Sequence, residues 1–234
     1  LINNTIGFRG MKQHRVEEAG TGFTTMHRQD LIASTDGNFR PVDMEFAPDG
    51  SLYVVDWHNI LIGHMQHNAR DPMRDHAHGR IYRITYPERP LVRPAFVADA
   101  PIDTLLNNLK LPEYRTRYRS RRALRGHDPA EVLAALSTWV DQLDPQAPDY
   151  AHQLTEALWV TWGLNQVDEA LLDQVMRLPD HRARAAAVRV ARYMGHQLAD
   201  QTAILKQAAQ DPHGRVRLEA LVAASWLPEQ EGLA

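Results

Sequence analysis

The chain has 234 residues, 44% apolar and 24% charged, which is the balance of a folded protein with room for two domains rather than of a disordered one. A net charge of −3 calls for neither nucleic acid nor a membrane surface as partner, and no apolar run approaches the roughly 18 residues of a membrane span. With no cysteine, disulfides, thiolate zinc sites, a cysteine nucleophile and thioether-linked haem are excluded within these residues.

The first hundred residues are punctuated by Gly, Pro, Asp and Asn and carry strand-like patterns. Short strands are predicted at 5–9 and 30–34. Val42, Met44 and Phe46 alternate with Asp43 and Glu45, the period-2 signature of a half-buried strand. Ala47-Pro48-Asp49-Gly50-Ser51 is a tight connection, in which Pro presets φ and Gly accepts φ > 0. Leu52–Asp56 is then the partner strand of a hairpin, and Arg80–Thr85 a third strand. Three or four short antiparallel strands with one long loop match a β-propeller blade. A lone blade cannot close, and its edges stay unpaired, so this half should pack on something further. A chain that opens on Leu1 without a signal sequence reads as a piece of a longer protein. Pro87, Pro90, Pro94 and Pro101 mark residues 86–101 as an extended linker.

Beyond it the rhythm becomes helical. Asp128-Pro129-Ala130-Glu131 opens a helix with an N-cap, a proline at N1 and an acidic N3, and Val132, Leu133, Leu136, Val140 and Leu143 fill one face. Further helices are predicted near 112–125, 149–163, 168–177, 180–195, 200–209 and 213–226. Residues 182–193 match residues 215–226 at an offset of 33. The second copy follows the HEAT-type pattern Asp-Pro-x-x-x-Val-Arg-x-x-Ala, and a looser copy is expected at 118–125. The fold class is thus α+β: an antiparallel sheet region over 1–99, read as a terminal propeller blade, then an all-α HEAT-like repeat domain over 100–234.

The densest polar segment runs from Asp56 to Arg80 and holds five of the twelve histidines. A loop this long between short strands is uncommon without a function. His64 with His67, or His76 with His78, could ligate a metal. A His–Asp pair could instead abstract a proton from an alcohol while an arginine holds a carboxylate. The third reading is a polar network that fixes the loop and borders a ligand cleft. No spacing is diagnostic, so no metal is assigned. Arg115, Arg117, Arg119, Arg121, Arg122 and Arg125 read as a solvated helix face paired with acidic groups of the next helix. Trp139, Trp159, Trp162 and Trp226 read as core. Phosphate-loop, Gly-x-Ser-x-Gly and His-Glu-x-x-His motifs are absent.

Two stretches carry a resemblance. Phe39–Trp57, followed by Gly63-His64-Met65-Gln66-His67, Arg70-Asp71-Pro72, Arg74-Asp75-His76 and His78–Arg83, resembles the final blade of exported bacterial proteins described as membrane-bound dehydrogenase-like or planctomycete-type haem-binding. Their propeller is similar to the glucose/sorbosone dehydrogenase type. The resemblance implies a HEAT segment after the blade, then a c-type cytochrome domain, with pyrroloquinoline quinone, calcium and c-type haem in the full-length protein. It implies oxidation of a sugar or similar alcohol in a periplasmic or otherwise exported setting. The missing blades and the cytochrome domain would be the partners of this piece. The family-pattern positions proposed as site residues are His58, His64, His67, Arg70, Asp71, His76 and His78. A non-catalytic propeller and solenoid that bind a glycan or protein remain the alternative.

Overall fold

The structure is a computed structural model that describes residues 1–5, 7–61 and 70–228. It divides into a sheet unit, residues 1–19 with 23–94, and a helical unit, residues 20–22 with the chain from 95 onward. The fold is an α+β mixture of antiparallel sheets followed by helices.

In the sheet unit, β1 (Ile2–Thr5), β2 (Gly10–Ala19), β3 (Gly22–His27) and β4 (Ile32–Ala33) form one sheet, with β2 central. The strand predicted at 5–9 is instead a turn at 7–9 that joins β1 to β2, and that at 30–34 shrinks to the two residues of β4. The β2–β3 hairpin has no counterpart in the sequence reading. Most of its side chains are exposed, so no apolar alternation marks it.

The second sheet has the order β5 (Pro41–Phe46), β6 (Leu52–Asp56), β7 (Arg80–Ile84). Met44 faces Val54 and Phe46 faces Leu52 across the hairpin, while Asp56 faces Arg80 on the other side. The turn is fixed by Asp49, whose Oδ1 accepts from the Ser51 amide at 2.9 Å and its hydroxyl at 2.6 Å. Gly50 sits at φ 85°, where a side chain would be strained. β6 alternates as a central strand should: Leu52, Val54 and Asp56 point inward, Tyr53 and Val55 outward. On β5 the expected half-buried face is reduced to Met44. A register shift between Pro41 and Asp43 accompanies an exposed Val42, and Phe46 at the strand end is exposed too. The core here is small: Met11, Leu52 and Val54, flanked by Ile2, Ile32, Met44 and Ile84.

Eight α-helices are formed among the described residues of the helical unit. They are α1 (Ile102–Asn108), α2 (Tyr114–Leu124), α3 (Pro129–Asp141), α4 (Tyr150–Gly163), α5 (Glu169–Met176), α6 (His181–Met194), α7 (Gln201–Ala209) and α8 (Gly214–Ala224). Seven match predicted segments within a few residues. The seven-residue α1 escaped because it spans barely two turns behind Pro101. Helices α2, α4, α6 and α8 pack in a row, each against the next. Leu105, Leu106, Leu124, Val132, Leu154, Leu158 and Val188 are among the fully buried side chains of one continuous core. Asp128 caps α3 by accepting from the amides of Ala130 and Glu131, with Pro129 at N1.

One device recurs. Arg117 donates Nη1 to the carbonyls of Leu111 and Pro112 at 2.8 and 2.7 Å. Arg184 does the same to Leu178 and Pro179 at 2.7 and 2.9 Å. Arg217 repeats it on Asp211 and Pro212 at 2.7 and 2.9 Å. Each arginine thus ties down the turn that precedes its own helix.

Trp139 is core, with Trp159 and Trp162 half-buried against it. Trp226 is not core: it is 60% exposed and packs edge-on against Tyr193, with Arg192 over its ring.

Candidate functional site

The end of β6 places three polar side chains together inside the sheet unit. Asp56 continues the inward alternation of Leu52 and Val54, which puts a carboxylate where an apolar residue would be expected. Its Oδ1 accepts from the backbone amides of Arg40 at 2.7 Å and His58 at 2.8 Å. Its Oδ2 accepts no hydrogen bond among the described residues and lies 3.5 Å from His58 Nδ1. His58 is 5% exposed and holds a left-handed φ of 52°. That conformation is uncommon for a side-chain-bearing residue, and here the bond from its own amide to Asp56 secures it. Arg40, 7% exposed, donates Nη1 to the Phe39 carbonyl at 2.8 Å and Nη2 to that of Ile60 at 3.2 Å. Its Nε has no partner among the described residues. Among the described residues Asp56 Oδ2 and His58 Nδ1 therefore have only each other, and Arg40 Nε is the one atom of the cluster that faces neither.

Asn59, 1% exposed, links this cluster to the second half of the histidine-rich segment, donating Nδ2 to the Asp75 carbonyl at 3.0 Å. Asp75 in turn accepts from the amides of Ala77 and His78, and its Oδ2 lies 2.9 Å from His78 Nδ1. The Ala77 amide, followed by the His78 ring, holds the Asp75 carboxyl below its ordinary range. Asp71 fixes the preceding turn by accepting from the Met73 amide at 2.9 Å. The Arg74 guanidinium lies 5.3 Å from the centre of the Trp57 ring.

Of the residues proposed from sequence, His58 is therefore buried in a polar cluster. Asp71 and His78 serve turn geometry, while Arg70 and His76 are exposed. His64 and His67 lie outside the described residues. Sequence reasoning did not single out Arg40, Asp56 or Asn59. Only the register could have found Arg40: Pro41 pairs with Asp56, which brings the residue before the strand beside the carboxylate. Among the described residues of the sheet unit, no three histidine, aspartate or glutamate side chains converge as metal ligands.

Residues 9–88 match a family model described as a domain of unknown function (DUF7133). The match covers about a third of the chain and takes in β2 to β7 with the Arg40–Asp56–His58 cluster, while the helices lie outside it. No curated protein and no solved structure matches the chain.

The groups implied by the resemblance can be held against these atoms. Calcium takes six to eight oxygen ligands, whereas Asp56 offers one uncommitted oxygen, which already faces an imidazole. Arg40 could meet a quinone carboxylate, but both its Nη atoms are bound to carbonyls. Thioether attachment of haem needs cysteine, and the chain has none. The described residues do not fit any of the three, and no chemical step here runs through them.

Proposed function

We propose that the sheet unit is the closing part of a β-propeller, and the helical unit a HEAT-like array, in an exported sugar- or alcohol-oxidising dehydrogenase-like protein. In this reading Arg40, Asp56 and His58 border the substrate cleft. The quinone, calcium and haem belong to other blades and to a cytochrome domain of the same parent.

The observation that carries the reading is the buried Asp56–His58 pair, Oδ2 to Nδ1 at 3.5 Å, with Arg40 Nε beside it and unpartnered among the described residues, at the end of a central strand. A carboxylate beside an imidazole is suited to taking up a proton from a hydroxyl, since the carboxylate stabilises the imidazolium that forms. The strand faces add support for further blades. Val42, Phe46, Tyr53, Val55, Ile81 and Tyr82 are all more than a third exposed, an apolar area that a neighbouring sheet would cover. The recurring Pro–Arg device and the α2–α4–α6–α8 row support the HEAT-like reading.

The test is turnover by the longer parent loaded with pyrroloquinoline quinone and calcium, read as reduction of an artificial electron acceptor with a panel of aldoses and alcohols. The expected result is sugar-dependent reduction that falls by about 10²-fold or more in His58→Gln. No turnover with any sugar would overturn the enzyme reading in favour of a glycan- or protein-binding module.

A further inference from the structure

The arginine run on α2 has a second use. Between α2 and α4 lies an open groove of about 440 Å³, within the range of small-ligand sites. Arg121, Arg122 and Arg125 line it, and no carboxylate among the described residues does. Arg117 and Arg121 both pair with Glu156 on α4. Arg122 lies 5.8 Å from the centre of the Tyr118 ring, and Arg125 makes no hydrogen bond or ion pair among the described residues. The last residue of α4 makes room for Arg125: a Cβ on Gly163 would stand 3.2 Å from its Nε and 3.4 Å from Nη2.

The walls are aromatic. Tyr114 and Tyr118, both exposed, stack with centroids 6.3 Å apart, and Trp159 and Trp162 lean together at 5.2 Å and 38°. Arg117 lies over Tyr114, Arg122 over Tyr118, and Tyr193 stacks on Trp162 at 5.2 Å and 20°, which leaves the Trp159 ring to take the C–H face of a pyranose. Apart from the tyrosine hydroxyls and the engaged Glu156, the side chains offer donors and no acceptors. That suits a carboxylate better than the N–H groups of a peptide.

We propose that this groove binds an acidic sugar, a uronate, with its ring on Trp159 and its carboxylate on Arg122 and Arg125. The site belongs to the helical unit and stands independently of the function proposed for the sheet unit.

The test is isothermal titration calorimetry of the whole chain with trigalacturonate and with the neutral galactose trimer. The acidic trimer binds, and the neutral one binds about tenfold more weakly or less. Arg122→Gln and Arg125→Gln each weaken the acidic trimer by about tenfold, and Gly163→Ala weakens it by crowding Arg125. Far-UV circular dichroism checks that each variant retains its helices. Equal affinity for both trimers, no heat at millimolar sugar, or affinity unchanged in the Arg122/Arg125 double variant would overturn the site. Tighter binding of a poly-glutamate peptide or a single-stranded oligonucleotide of equal charge would overturn the assignment to sugar.

Discussion

Replacing Arg184 by Met removes more from the helical unit than any surface argument about arginine would suggest. The Arg184 guanidinium meets Asp211 through two contacts, Nε to Oδ2 at 2.7 Å and Nη2 to Oδ1 at 2.9 Å. Its Nη1 also holds the Leu178 and Pro179 carbonyls ahead of α6. The two side chains are 13% and 9% exposed. Exposed pairs contribute about 0.2–1 kcal/mol, and removing one partner of a fully buried pair costs about 3–5 kcal/mol. This mostly buried, bidentate pair falls between, at about 2–3 kcal/mol. Urea unfolding followed at 222 nm reports the helical unit, and Arg189→Met supplies the control. Arg189 pairs with Glu219 but is 44% exposed, so its loss should cost under about 1 kcal/mol. The pH dependence gives a second check. Hydrogen bonding from Arg184 holds the Asp211 carboxyl below its ordinary range. A lowered folded-state pKa means that the contribution is complete above the unfolded value of about 3.9 and is lost as pH falls through the folded one. The gap between wild type and Arg184→Met should therefore narrow as pH drops below about 4. Equal losses for the two variants, or a gap that widens in acid, would refute the reasoning.

Two smaller effects isolate local geometry. Gly50→Ala should cost about 1–2 kcal/mol, read as faster amide exchange across β5 and β6. The nearest atom to the new methyl would be Val92 Cγ2 at 3.8 Å, so crowding adds nothing and the cost comes from φ 85° alone. Asp128→Ala should destabilise the helical unit by about 1 kcal/mol through loss of the α3 cap, whereas Asp128→Asn should leave the urea midpoint nearly unchanged.

The parts of the fold that can be read from the sequence are those where a short-range rule and burial agree. The β5–β6 connection carries its own instructions in Pro48, Asp49 and Gly50, and the α3 start does so in Asp128 and Pro129. The β2–β3 hairpin carries no such message, because a mostly exposed strand needs no alternation. The candidate site was readable only as a region. Histidine density pointed to residues 56–80, yet the buried cluster is completed by Arg40, sixteen positions before Asp56 and joined to it through strand register. A cluster closed across a register has no local spacing to detect.

The arginines of α2 show the same limit from the other side. Written out, Arg115, Arg117, Arg119 and Arg121 alternate, and a single role for all of them is the natural reading. A helix separates them. Arg117 and Arg121 are four apart and share the face that meets Glu156 on α4. Arg122 and Arg125 are three apart and share the next face, where Tyr118 and Gly163 meet them instead of a carboxylate. One run of like residues therefore divides into a clamp that holds the array together and a pair of cations left over for a ligand. Which arginine does which depends on the residues opposite, on a helix some thirty-five positions further along the chain.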